Sequence, residues 1–120
     1  MSNPKYDWWS YVKGMIRRYP KLRKQLEFCA ELPSPYQEEY DSVTLACRHT
    51  ETIDAGAERM QLISLIYWKK THTLSGAALQ CSVDYSTAKR WHKDFIRAVG
   101  AYYGLLPASD RTNTEMNLRQ

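Results

Sequence analysis

The sequence lacks any apolar run approaching the ~18 residues that a bilayer-crossing helix needs, so no membrane span is expected. The amino-terminal MSNPKYDWW lacks the ordered regions of a secretory signal peptide, and a cytoplasmic protein is expected. Cysteine is scarce. Cys29, Cys47 and Cys81 are odd in number, widely spaced and contain no CxxC unit, which argues against both a disulfide framework and a zinc site. Each is expected to sit as a small buried apolar side chain in a reducing compartment. His49, His72 and His92 lie far apart, without an HExxH or similar ligand spacing. Glycine-rich phosphate loops, nucleophile elbows and carboxylate pairs of diagnostic spacing are also missing. Glu38 and Glu39 are adjacent and therefore diverge on a helix. No metal, cofactor or enzymatic activity is expected, and neither an internal repeat nor a low-complexity tract is found.

What is present is charge in blocks and aromatic bulk. The 120 residues carry a net charge of +4, with four tryptophans and nine tyrosines. Residues 1–30 balance at +5, residues 31–58 at −6, residues 59–100 at +5, and the remainder is neutral. Two basic blocks around an acidic one fit a surface for a polyanion, with an acidic flank that either faces a protein partner or is simply solvated. The length suits one domain, placed at residues 1–106, followed by a polar, flexible tail at 107–120.

Periodicity predicts helices throughout. Asp7 is a candidate cap for a first helix with apolar positions 8, 12, 15, 16 and 19. Its Trp8–Trp9 pair reads as core or as an aromatic partner surface. Gly14 is expected to admit a close helix contact. Pro20 is expected to end or kink that helix and to open a second one using Leu22, Leu26, Cys29 and Ala30. This amino-terminal unit, 6–32, offers a secondary basic patch of Lys13, Arg17, Arg18, Lys21, Arg23 and Lys24. After the prolines at 33 and 35, an acidic unit spans 36–56. Its helix bears the stripe Tyr36, Tyr40, Val43 and Cys47, and Glu38, Glu39 and Asp41 lie near its positive end. Asp54 and Gly56 are expected to cap and turn into the next helix. Ala57 to Lys70 carries too many apolar residues for one face, so it should be central and covered from two sides. Leu105 and Leu106 are expected to fold back on the core.

The stretch from Thr71 to Tyr103 is the most informative. Leu74, Ala77 and Ala78 share one face of a short helix. Cys81–Asp84 then makes a tight connection of the length a helix-turn-helix requires, with Val83 as its apolar plug. Asp84 or Ser86 is a candidate N-cap, and Ala88, Trp91, Phe95 and Val99 form a single stripe. The opposite face carries Tyr85, Ser86, Lys89, Arg90 and Lys93, the polar and basic surface that major-groove docking needs. Ser86 and Thr87 lie at an amino end whose amides could hold a phosphate. Lys69, Lys70, His72 and Thr73 flank the motif on its backbone side. Helix pairs with short turns also occur in bundles that bind nothing.

Together, YDWWSYVKGMIRRYP at 6–20 and LIYWKKTHTLSGAALQCSVDYSTAKRWHKDFI at 65–96 resemble small prophage-encoded proteins of Gram-positive bacteria. These are grouped with sigma-factor-like late-transcription activators of the RinA and ArpU type. The resemblance covers nearly all of the chain except the tail. In it, Ala77-Ala78 matches the first helix of sigma region four, Val83-Asp84 matches its turn, and Ser86-Thr87-Ala88-Lys89 matches the opening of its reading helix. The sequence departs at Ser82, where sigma domains usually have glycine, and at Trp91-His92. The resemblance implies an all-α bundle of five to six helices with a carboxy-terminal helix-turn-helix unit at 57–104. It also implies a phage transcriptional regulator on double-stranded DNA, with host RNA polymerase or a second copy of the chain as partner. Two rivals remain open: a small-terminase-like packaging protein, and an inhibitor of a host or defence protein acting through the acidic 38–58 region.

Overall fold

The computed structural model describes residues 8–105. Every regular element among them is helical: α1 (Trp8–Leu26), α2 (Tyr36–Thr52), α3 (Gly56–Ile63), α4 (Leu74–Gln80) and α5 (Tyr85–Tyr103). A π-helical turn, Ser64–Trp68, prolongs α3. The expected all-α class and helix count therefore hold among the described residues. The Asp7 cap, the docking of Leu106 and the tail from Pro107 fall outside them.

One expected boundary is absent. Pro20 lies inside α1, which continues to Leu26. Cys29 and Ala30 fall beyond its end and are exposed, so the separate second helix does not form. A proline within a helix withholds the N–H that the carbonyl four residues earlier requires. Here that carbonyl belongs to Ile16, and the indole N–H of Trp68 donates to it instead at 2.8 Å. A tertiary contact thus replaces the missing helix bond. Gly14 also departs from expectation. A Cβ there would first meet the Arg18 guanidinium, at 3.2 Å, so the glycine makes room for a side chain of its own helix.

The entry to α3 differs as well. Ala55, with φ of 59°, occupies the N-cap position expected of Asp54. Gly56 is the first helical residue, and a Cβ on it would lie 2.6 Å from the carbonyl oxygens of Thr50 and Glu51. Glycine is needed here because α2 ends against this corner.

Two buried clusters hold the helices together. The larger joins Val12, Met15 and Ile16 of α1, Val43 and Ala46 of α2, Ile63 and Tyr67, and Phe95, Ile96 and Val99 of α5. The smaller joins Leu62, Leu65, Ala77, Ala78, Cys81, Ala88 and Trp91. The segment Leu62–Trp68 feeds both, with Ile66 packed against each. That two-sided burial was expected from its excess of apolar residues, but the π turn was not. Of the cysteines, Cys81 is buried, Cys47 half-buried and Cys29 exposed, so the expectation of three buried thiols fails at Cys29.

Candidate nucleic-acid interface

Thr73 shapes the start of α4, and Ser82 and Asp84 shape its connection to α5. The hydroxyl of Thr73 accepts the Gly76 amide at 3.2 Å, which caps α4; this residue, expected at a phosphate, has a structural role. Helix α4 ends with Ser82 at φ of 60°. The Ser82 amide donates to Leu79 O at 3.1 Å and the Val83 amide to Ala78 O at 3.0 Å, a six-to-one closure that needs a left-handed residue. Glycine takes this conformation without a steric cost, and here serine takes it.

Asp84 stands at the N-cap position of α5. Its carboxylate accepts the hydroxyls of Ser86 and Thr87, each at 2.6 Å, and these bonds hold its pKa down to about 2. The amino end expected to receive a phosphate therefore carries a permanent negative charge. Ser86 and Thr87 are committed to that carboxylate.

Basic side chains collect a turn further on. Lys89, Arg90 and Lys93 are exposed, and the Lys89 ammonium lies 5.2 Å from the ring centre of the half-exposed Tyr85. Tyr85, Lys89 and Lys93 recur at four-residue spacing, which aligns them along one side of α5. The opposite side supplies Ala88, Trp91, Phe95, Ile96 and Val99 to the core. Lys69 and Lys70 are exposed at the end of the π turn, where Lys70 takes φ of 57° and the Thr71 amide donates to Leu65 O at 3.1 Å. His72 is half-buried, with its Nδ1 2.8 Å from the Thr71 hydroxyl.

His92 ties α1 to this face. Its ring stacks on Tyr67, with 5.6 Å between centres and 8° between planes. Its Nε2 lies 2.7 Å from the Tyr67 hydroxyl. Burial, assisted by Lys13, pushes the imidazole pKa down to about 4, so the ring is neutral at pH 7 and shares a hydrogen bond with the Tyr67 hydroxyl whose direction follows its tautomer. Burial likewise pushes the Tyr67 hydroxyl up to about 12. The Arg17 guanidinium sits 5.7 Å over the other partner of the pair, the Tyr67 ring. Lys13 and Arg17 are thereby brought beside the Tyr67–His92 pair.

The rest of the secondary basic patch does not share this surface. Arg18 turns to α2 and donates from Nε and Nη2 to Glu39 Oε1 at 3.1 and 2.8 Å. The Tyr11 hydroxyl donates to the other oxygen, Oε2. Glu39 is 1 % exposed, although its place in the first turn of α2 read as a surface acid. Lys21 borders an apolar groove with Phe28, Leu32 and Tyr36, and Arg23 lies toward Cys47. Lys24 is exposed near the end of α1. Reasoning from sequence favoured a packed or phosphate-contacting His92 over a catalytic one, but it missed the Tyr67 partner and the burial of Glu39.

Among the described residues, no helix is long and apolar enough to cross a membrane, and no group of three or more His, Cys, Asp or Glu is placed to hold a metal ion. The chain matches no family model, no curated protein and no solved structure.

Proposed function

We propose that this chain is a DNA-binding regulator in which α4, the connection at 81–84 and α5 act as a helix-turn-helix. The observation that carries the reading is the exposed Lys89, Arg90 and Lys93 on one side of α5, directly after the short turn, with the reverse side buried. Residues at the amino-terminal half of a second helix are those that reach base edges in such motifs. Arg90 is assigned to a base edge, since arginine against guanine is the commonest specific contact in the major groove. Lys69, Lys70, Lys13 and Arg17 are assigned to phosphates. The charged Asp84 moves the phosphate contacts away from the amides of α5 and onto these cations.

One such motif reads few base pairs, so a second copy or host RNA polymerase is the proposed source of the remaining affinity. A phage or prophage setting rests on the resemblance to RinA- and ArpU-type activators alone. The test is duplex binding across a salt series, for the wild type and for the double variant Arg90→Ala, Lys93→Ala. A preferred sequence whose affinity drops by about 2–4 kcal/mol in the variant supports the reading, with a salt slope reduced by about 1 per lost phosphate contact. Salt-steep binding that is indifferent to sequence would move the assignment to a packaging protein. No binding by either chain near physiological salt would sink DNA recognition.

A further inference from the structure

The chain leaves α1 at Leu26 and reaches α2 at Tyr36 over a connection that its own hydrogen bonds hold in shape. The Phe28 and Cys29 amides donate to Gln25 O at 3.0 and 3.1 Å, and the Tyr36 amide donates to Pro33 O at 2.8 Å. The Leu32 amide donates to Gln37 Oε1 at 2.8 Å. Because α1 stops at Leu26, Phe28 stands in solvent at 83 % exposure, the most exposed large apolar side chain among the described residues. A groove of about 410 Å³ runs beside it. The buried Leu22 and Leu32 form its floor, and Phe28, Pro33 and the exposed Tyr36 border it. A held, contiguous apolar surface of this kind marks a protein contact.

The charges of the groove say which protein. Three charged side chains line it, Arg18, Lys21 and Glu31. Arg18 is committed to Glu39 at 2.8 Å. Lys21 and Glu31 have no ion-pair partner among the described residues, so the unpaired charge of the patch is one lysine and one acid. A partner of a single charge sign gains nothing from such a pair. A second copy turned about a two-fold axis brings Lys21 opposite Glu31 twice. The same surface also carries both a projecting ring and an apolar recess, and a two-fold contact needs both on one face. We propose that this groove is the contact between two copies of the chain, with Phe28 of each copy against Leu22 and Leu32 of the other. Lys21 of each copy pairs with Glu31 of the other. As the second copy that α5 needs to read two half-sites, the dimer rests on the DNA-binding reading; as an interface it rests on the groove alone.

Sedimentation equilibrium of the full chain, from about 5 to 500 µM, should show monomer–dimer exchange with a dissociation constant below about 100 µM. Phe28→Ser, at an exposed position, should weaken the dimer by at least about tenfold. Lys21→Glu and Glu31→Lys each set like charges together at both contacts and should weaken it by about tenfold. An equimolar mixture of these two variants gives one copy two acids and its partner two lysines. That mixture should associate to within about threefold of the wild type, and so should the chain carrying both reversals. Unfolding followed by circular dichroism checks that each variant is folded. A wild type that stays monomeric to about 500 µM leaves the groove to residues 106–120 or to a different protein, and overturns the proposal. It is equally overturned if folded Phe28→Ser dimerises as the wild type does, or if the single reversals have no effect. Failure of both the mixture and the double reversal to restore the dimer also overturns it. All of these results are read without DNA, so loss of the dimer with duplex binding intact, or the reverse, shows which of the two readings has failed.

Discussion

Lys70 and Ser82 hold φ at 57° and 60°, a conformation that L-residues other than glycine adopt at a cost of about 1–2 kcal/mol. At each, the next residue's amide closes a helix end, Thr71 donating six residues back to Leu65 O and Val83 five residues back to Ala78 O. The sequence marks Ser82 only as a departure from a glycine preference; the backbone shows what the position demands. His92 is a second case in which a residue's role is set by its neighbours. Its pKa falls from 6.5 to about 4, mainly through burial against Tyr67. A folded-state pKa below the unfolded one means that the unfolded chain binds the proton more readily between these values. The contribution of neutral His92 is therefore complete above pH 6.5 and is lost as pH falls toward 4, a change of about 3 kcal/mol. Denaturant unfolding of wild type and His92→Gln across this range measures it. Glutamine retains an acceptor for Tyr67 and cannot titrate, so the difference between the two curves should shrink the wild-type loss by that amount. Parallel curves would show that His92 does not carry the effect.

At the scale of elements, α1 and the π turn explain each other. Proline at position 20 reads locally as a break, and the reading fails because Trp68 supplies the donor that Ile16 O lacks. No sequence window around Pro20 contains Trp68. Replacing Trp68 with phenylalanine leaves that carbonyl without its indole partner, at a cost of about 1–3 kcal/mol beyond lost packing. In a Pro20→Ala background the alanine N–H restores the helix bond, so the same replacement should cost about 1 kcal/mol less. A double-mutant cycle by chemical unfolding tests this, and additive changes would refute the replacement of one bond by the other. The π turn itself follows from crowding. Leu62, Ile63, Leu65, Tyr67 and Trp68 serve two clusters and the Ile16 bond, and a widened turn distributes them where a regular α-turn would not. Helix α2 shows the same limit. Of its expected stripe of Tyr36, Tyr40, Val43 and Cys47, Val43 is buried, Tyr40 and Cys47 are half-buried and Tyr36 is exposed, while the buried positions include Glu39, Ser42 and Thr50. Ser42 and Thr50 return their hydroxyls to the carbonyls four residues earlier, at 2.8 and 2.7 Å. Glu39 is satisfied only across the helix interface, by Arg18 and Tyr11.

Over the whole molecule, stability is divided unevenly. The larger cluster binds α1, α2 and α5 to the π turn, whereas the seven-residue α4 rests on the smaller one through Ala77, Ala78 and Cys81. Small side chains bury little apolar area, and helices so short are not stable alone. Native-state hydrogen exchange should therefore find the α4 amides opening at least about 1 kcal/mol more easily than those of α2. Equal protection in both helices would show a single cooperative unit.

Local chemistry in the sequence already determined the helical class, the short connection between α4 and α5, and the basic row on α5, because each follows from spacing within about two helical turns. Charge blocks were equally visible as a linear pattern. Only the tertiary structure decided that α1 survives its proline, that Glu39 is buried, that His92 packs on Tyr67, and that Arg17 sits over Tyr67 while Arg18 turns to Glu39. Each of these outcomes depends on partners 21 or more residues away, where neither periodicity nor local propensity carries information about which groups will meet.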